Sequence, residues 1–149
     1  MRWVALFSAL LTAGCAILST GPGHIDKVLV HYLDGEGRHA RGGTLLDRDI
    51  FQRELRDNPN RIATVRFDIK WAGTALDANA TRLRVEIRGT KQIVPIVIEQ
   101  PAGIPRQMAS WTGVALSPAE YQKLGALESW RVSLIEGNRT LSHQQSFLW

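Results

Sequence analysis

Two stretches in the middle of the chain alternate strictly. In "TVRFDIKW", Val65, Phe67, Ile69 and Trp71 are apolar while Arg66, Asp68 and Lys70 are charged. In "TRLRVEIRG", Leu83, Val85 and Ile87 alternate with Arg82, Arg84, Glu86 and Arg88. A period of two predicts strands with one buried face and one wet face. "KVLVHYL", Lys27 to Leu33, is a β-branched run closed by the turn signal Asp34-Gly35, and it also reads as a strand. "QIVPIVIEQ" is apolar on both faces, but Pro95 lacks an N–H, which predicts an edge or bulged strand. A further strand is expected around Gln107 to Leu116, and "WRVSLIEGNRTLSHQQSFLW" reads as a hairpin turning at Gly137-Asn138. In that hairpin Trp130, Val132 and Leu134 are expected to face the core, with Leu141 and Phe147 joining from the second arm.

Helical signals are few. Ser117-Pro118-Ala119-Glu120 combines a capping serine, a first-turn proline and a glutamate that reaches back, so a short helix should run to Gly125. Asp47 is expected to cap another, with Ile50, Phe51 and Leu55 on one face and Asn58-Pro59 at its end. The glycine-rich "DGEGRHARGG" ahead of Asp47 reads as an exposed, flexible loop. The expected fold is mainly β: an antiparallel β-sandwich of about seven strands with one or two short helices. It resembles immunoglobulin-like and fibronectin type III-like sandwiches in architecture, without the cysteine pair of true immunoglobulin domains. A transmembrane barrel is disfavoured, because the alternating runs are short and aromatics make up only 7% of the chain.

The beginning of the chain has a different character. After Arg2 comes an uncharged apolar run, then the small residues Thr12-Ala13-Gly14 and Cys15, the sole cysteine. A basic start, a short apolar core and a small-residue end form the pattern of an export signal. The run is too short for the roughly 20 residues of a membrane-crossing helix. Thr12-Ala13-Gly14-Cys15 resembles the lipobox of bacterial lipoproteins, with Thr12 departing from the usual leucine. That resemblance implies a signal peptide over 1–14, acylation of Cys15, a tether over 15–26 and a sandwich over 27–149. It also implies the bacterial envelope, attached to a lipid bilayer. Ala16 lacks the aspartate that favours inner-membrane retention, so the outer membrane facing the periplasm is the expected site. A flexible tether of a dozen residues reaches roughly 20 Å. The rival expectation is ordinary cleavage nearby and a freely secreted domain.

Composition adds limits. With 44% hydrophobic and 21% charged residues the chain is ordinary for a globular protein. A lone cysteine excludes an intrachain disulfide, so the core alone must hold the domain. The formal charge of +4 is small and interspersed with acids, which favours an anionic surface over nucleic acid.

No catalytic signature is found. The four histidines, His24, His31, His39 and His143, lack metal-ligand spacing. There is no nucleophile elbow, and Ser142 and His143, as strand neighbours, point to opposite faces. Asp34, Glu36, Asp47 and Asp49 miss the calcium-loop pattern. No metal, cofactor or reaction is therefore assigned. Two binding surfaces are expected instead. Arg66 and Lys70, with Arg82, Arg84 and Arg88, would line one sheet face for an anionic lipid, polymer or protein partner. Trp111 and Trp149 are the candidate exposed platforms for sugar stacking, since Trp71 and Trp130 are in phase with the core. The expected function is a non-catalytic binding or assembly module of the envelope, with carbohydrate binding as the alternative.

Overall fold

The alternation of the two central strands sorts their side chains cleanly. The computed structural model describes residues 21–149; the signal segment and Cys15 lie outside the described residues. In β2 (Thr64–Gly73), Val65, Phe67, Ile69 and Trp71 are buried, and in β3 (Thr81–Gly89) so are Leu83, Val85 and Ile87. The other strands are β1 (Gly23–Leu33), β4 (Gln92–Pro101), β5 (Ser110–Ala115), β6 (Leu127–Glu136) and β7 (Arg139–Gln145). They form a three-stranded sheet, β1-β2-β5, and a four-stranded sheet, β4-β3-β6-β7, with every neighbouring pair antiparallel. One hydrophobic core lies between them. The described residues thus form a β-sandwich of seven strands.

The core satisfies its polar atoms. The Trp71 indole N–H donates to Thr112 Oγ1 at 3.0 Å, and that hydroxyl donates to the Ala102 carbonyl at 3.0 Å. Phe67 meets Trp130 edge-on with ring centroids 6.0 Å apart, a favoured aromatic geometry.

The free edge of β1 is closed by side chains. Helix α1 (Leu45–Asp57) buries Phe51, Gln52 and Leu55. The Gln52 amide accepts from the Tyr32 N–H at 2.9 Å and donates to the Tyr32 carbonyl at 2.8 Å, as a neighbouring strand would. Further along, the Ile25 N–H donates to Ser142 Oγ, and Gln144 Nε2 donates to the Ile25 carbonyl. Capping an edge in this way removes a template for unwanted strand pairing. On the opposite side β4 remains an edge, as Pro95 requires, and it leaves Ile93, Val94 and Val97 exposed.

Several expectations need correction. β1 begins at Gly23, so residues 23–26 belong to the sandwich and not to the tether. A side chain at Gly23 would press on Leu134 and Leu76, which explains the glycine at this close approach. The cap of α1 is Thr44, and Asp47 is its reciprocal partner three residues on. Ile50 turns away from Phe51 and Leu55 and is 50% exposed. The glycine-rich loop is pinned at its start, where the Asp34 carboxylate accepts from the Arg38 guanidinium and from the backbone N–H groups of Glu36 and Arg38. Leu141 packs against the core, but Phe147 lies fully in solvent. Helix α2 (Pro118–Leu124) has the expected capping box and ends at Gly125, whose φ of 77° suits glycine.

One end of the sandwich gathers the start of β1 and three connections. The Pro22 carbonyl accepts from the Thr74 N–H, the Arg106 carbonyl from the Gly73 N–H and the Ala80 carbonyl from the Gly137 N–H. The loop preceding α1 leaves β1 at the other end, beyond Leu33.

Phe67→Ala should lower stability by about 3–5 kcal/mol, because it empties a fully enclosed site. Ile93→Ser should change it by no more than about 0.5 kcal/mol, because the site is solvent-exposed. Urea unfolding of both variants checks the pair.

Candidate functional site

The cationic residues of β3 project outward by the same alternation that buries Leu83, Val85 and Ile87. Arg84 stands between Glu99 of β4 and Ser133 of β6, and Glu86 between Val97 and Arg131. The small Ser133 leaves a hollow floor beside Arg84. A slip in register between Leu134 and Ile135 then sets Thr140 of β7 opposite Ile135 while Leu141 turns to the core. The result is an open groove of about 540 Å³ lined by Arg82, Arg84, Glu99, Ile135, Asn138 and Thr140. A second hollow of about 240 Å³ adjoins it, where Arg84 meets Glu86, Arg131, Ser133 and His143.

Two cations line this groove: Arg82, in no ion pair among the described residues, and Arg84, which has carboxylates at ion-pair distance without a hydrogen bond to either. Glu86 is already engaged, accepting from Arg131 Nε at 2.8 Å. Arg84 lies 3.8 Å from Glu86 and 3.7 Å from Glu99, too far for hydrogen bonds, and its Nε is buried without a partner among the described residues. Four guanidiniums (Arg82, Arg84, Arg88 and Arg131) share this face with two carboxylates (Glu86 and Glu99). An incoming carboxylate or other anion would find bidentate donors here, together with the Asn138 amide and the Thr140 hydroxyl.

The five basic residues expected on one face are divided between two. Arg66 and Lys70 lie on β2, in the three-stranded sheet, while Arg82, Arg84 and Arg88 lie on β3, in the four-stranded sheet. The two strands face each other across the core, so their outward residues point in opposite directions. The residues that complete the groove, Arg131, Ser133 and Thr140, carry no signal in the sequence. Only the β3–β6–β7 register brings them to Arg84.

On the outer face of the three-stranded sheet, Arg66 belongs to a compact polar cluster. Asp68 Oδ2 lies 2.8 Å from His31 Nδ1 and accepts from Arg66 at 2.9 Å. The His31 and His39 rings lie 5.1 Å apart. Burial pushes the Asp68 carboxyl up, but hydrogen bonds from His31 and Arg66, with the Arg66 charge, outweigh it and hold Asp68 below its usual range. Burial, followed by the Arg66 and His31 charges, pushes His39 down. No nucleophilic side chain joins this cluster through a hydrogen bond among the described residues.

The candidate tryptophans differ. Trp111, opposite Lys70 on β5, is 51% exposed and borders a shallow, mainly apolar hollow of about 250 Å³ with Leu29 and Asp68. Trp149 is half-buried, its ring held against the guanidiniums of Arg88 and Arg131 at 4.2 and 4.9 Å. That cation–π contact takes it out of use as a free platform. Trp71 is buried, as its phase predicted. Asp34, Glu36 and Asp49 are held by arginines and Asp47 by the Thr44 cap. Among the described residues no three histidines, cysteines or carboxylates come together as a metal site, and no helix is long and apolar enough to cross a membrane.

Compared with protein families, curated proteins and solved structures, the chain matches none.

The polar cluster gives a signed pH dependence. His39 takes up a proton less readily folded than unfolded, so stability should begin to fall as pH drops through 6.5, its ordinary value. Asp68 has a depressed folded value, so its contribution is present above 3.8 and is lost further down. Urea midpoints measured from pH 8 to 3 should fall in both windows. His39→Gln should remove the upper fall and leave the lower.

Proposed function

We propose that this protein is a bacterial envelope lipoprotein, anchored by acylated Cys15, whose sandwich is a non-catalytic module that binds a carboxylate-bearing segment of an envelope protein or polymer. The observation that carries the binding role is the groove at Arg84, a half-exposed guanidinium without a hydrogen-bonded carboxylate, flanked by Arg82, Asn138 and Thr140. Such a site selects an anion by geometry and charge, and among the described residues neither the Thr140 hydroxyl in it nor the Ser133 hydroxyl beside it is hydrogen-bonded to a base. The anchoring role rests on the sequence of residues 1–15, with its apolar run and Thr12-Ala13-Gly14-Cys15. The division into a three-stranded and a four-stranded sheet supports the fibronectin type III-like comparison, an architecture that many binding modules share and that fixes no function.

Carbohydrate binding is the second reading, favoured by the exposed Trp111 ring beside the Asp68 carboxylate. An aromatic plane next to a hydrogen-bond acceptor is a sound platform for a sugar ring. It involves the opposite face of the sandwich, so the two readings separate by mutation.

The test is titration with a glutamate-rich peptide and with an oligo-uronate. Arg84→Gln combined with Arg82→Gln should weaken binding of the preferred probe at least about tenfold, the equivalent of 1.4 kcal/mol. Lys70→Gln, on the other sheet, should leave affinity unchanged. Added salt should weaken the wild-type interaction. Equal affinity of the double variant and the wild type would overturn the groove as the binding site.

A further inference from the structure

The loop between β4 and β5 exposes Ile104 at 70% and Met108 at 83%, with Trp111 at its base at 51%. These three are not scattered. The loop backbone is bonded to the end of β2 through the Gly73 N–H and the Arg106 carbonyl, at 2.9 Å. The adjacent Thr74 N–H bonds the Pro22 carbonyl at 2.8 Å. The exposed apolar loop therefore sits at the same end of the sandwich as the point where residues 1–20 join it.

Charge at this end favours an anionic surface. Arg106 in the loop has no ion-pair partner among the described residues, and neither has Lys70, the register partner of Trp111, nor Lys27 opposite Lys70. Of the carboxylates at this end, Glu136 accepts from the Asp77 N–H and from Arg139, Asp77 accepts from the Asn79 N–H, and Asp26 lies 3.0 Å from His24 Nε2. The three free cations thus outnumber the two acids, Asp26 and Asp77, that have no lysine or arginine partner. Apolar tips with an aromatic at their base and cations around them match the bilayer interface, where tryptophan sits at headgroup level and basic residues meet anionic lipid.

From this arrangement we infer that the β4–β5 loop is a second membrane contact, inserting Ile104 and Met108 and placing Trp111 at the headgroup level of an anionic bilayer. The inference rests on anchoring through Cys15. Only seven residues, Ala16 to Pro22, separate Cys15 from the start of β1, a span of at most about 25 Å for any chain conformation, so an acylated Cys15 would hold this end close to the bilayer. The strands then stand away from the membrane, and the Arg84 groove, lined in part by Gly137 and Asn138, lies toward the same end. Trp111 is assigned to lipid in place of a sugar ring.

The experiment uses the full protein purified from membranes and reconstituted into vesicles of phosphatidylglycerol with brominated phosphatidylcholine. Tryptophan emission is recorded for the wild type, for Trp111→Phe and for Ile104→Ser combined with Met108→Ser, with flotation in parallel. The wild type should float and lose emission to bromines near the lipid carbonyls, more than to bromines at the chain ends. Trp111→Phe should remove most of that loss. The double serine variant should float equally, keep its melting temperature and escape quenching. Flotation with no Trp111 quenching, or quenching unaffected by the serines, overturns the loop contact and leaves the anchor standing. Failure of the wild type to float overturns the anchor and the inference together.

Discussion

The layer of side chains between the sheets carries everything else. Phe67, Ile69 and Trp71 meet Leu83, Val85, Ile87 and Leu134 in one buried cluster, and the sole cysteine excludes any disulfide that would share the task. Each of these residues is enclosed on a face set by strict alternation. The outward residues of the same strands are committed by the same rule, so Arg82, Arg84 and Arg88 must point to solvent while Leu83, Val85 and Ile87 do not. The surface chemistry of the protein is in this sense the other half of its core pattern.

Because the layer is open at its rims, the edges shape what the domain can do. Gln52, Ser142 and Gln144 complete the hydrogen bonding of β1 with side chains in place of a further strand. On the other rim Gln100 donates to the Gly113 carbonyl, joining the ends of β4 and β5 across the two sheets. Between them these contacts leave the outer faces free. One carries the groove at Arg84, and the other carries the His31–Asp68–Arg66 cluster and Trp111.

Local chemistry was legible in the sequence where it is local in the structure. The alternation of β2 and β3, the Ser117-Pro118-Glu120 cap and the Gly137-Asn138 turn depend on residues within a few positions of one another. The cap of α1 is local too, since Thr44 and Asp47 have capping-box spacing, but Asp47 alone also has the chemistry of a cap, and the sequence does not say which of the two is outermost. What alternation withholds is the identity of a strand's neighbours. It gives each residue a face and no sheet, which is why Arg66 and Lys70 were grouped with Arg82, Arg84 and Arg88 although the core separates them. The bond between His31 and Asp68 spans 37 residues and left no spacing to find. Trp149 looked available because nothing in its surroundings in sequence indicates Arg88 and Arg131 beside it.

The proposed function needs both an acylated Cys15 and a binding sandwich, and the anchor can be tested most directly. The decisive measurement is the intact mass of the protein recovered from the membrane fraction, beside a Cys15→Ser variant. A chain that starts at Cys15 and carries added acyl mass, absent from the variant, is the predicted result. An unmodified chain cut elsewhere and recovered in the soluble fraction would contradict the account.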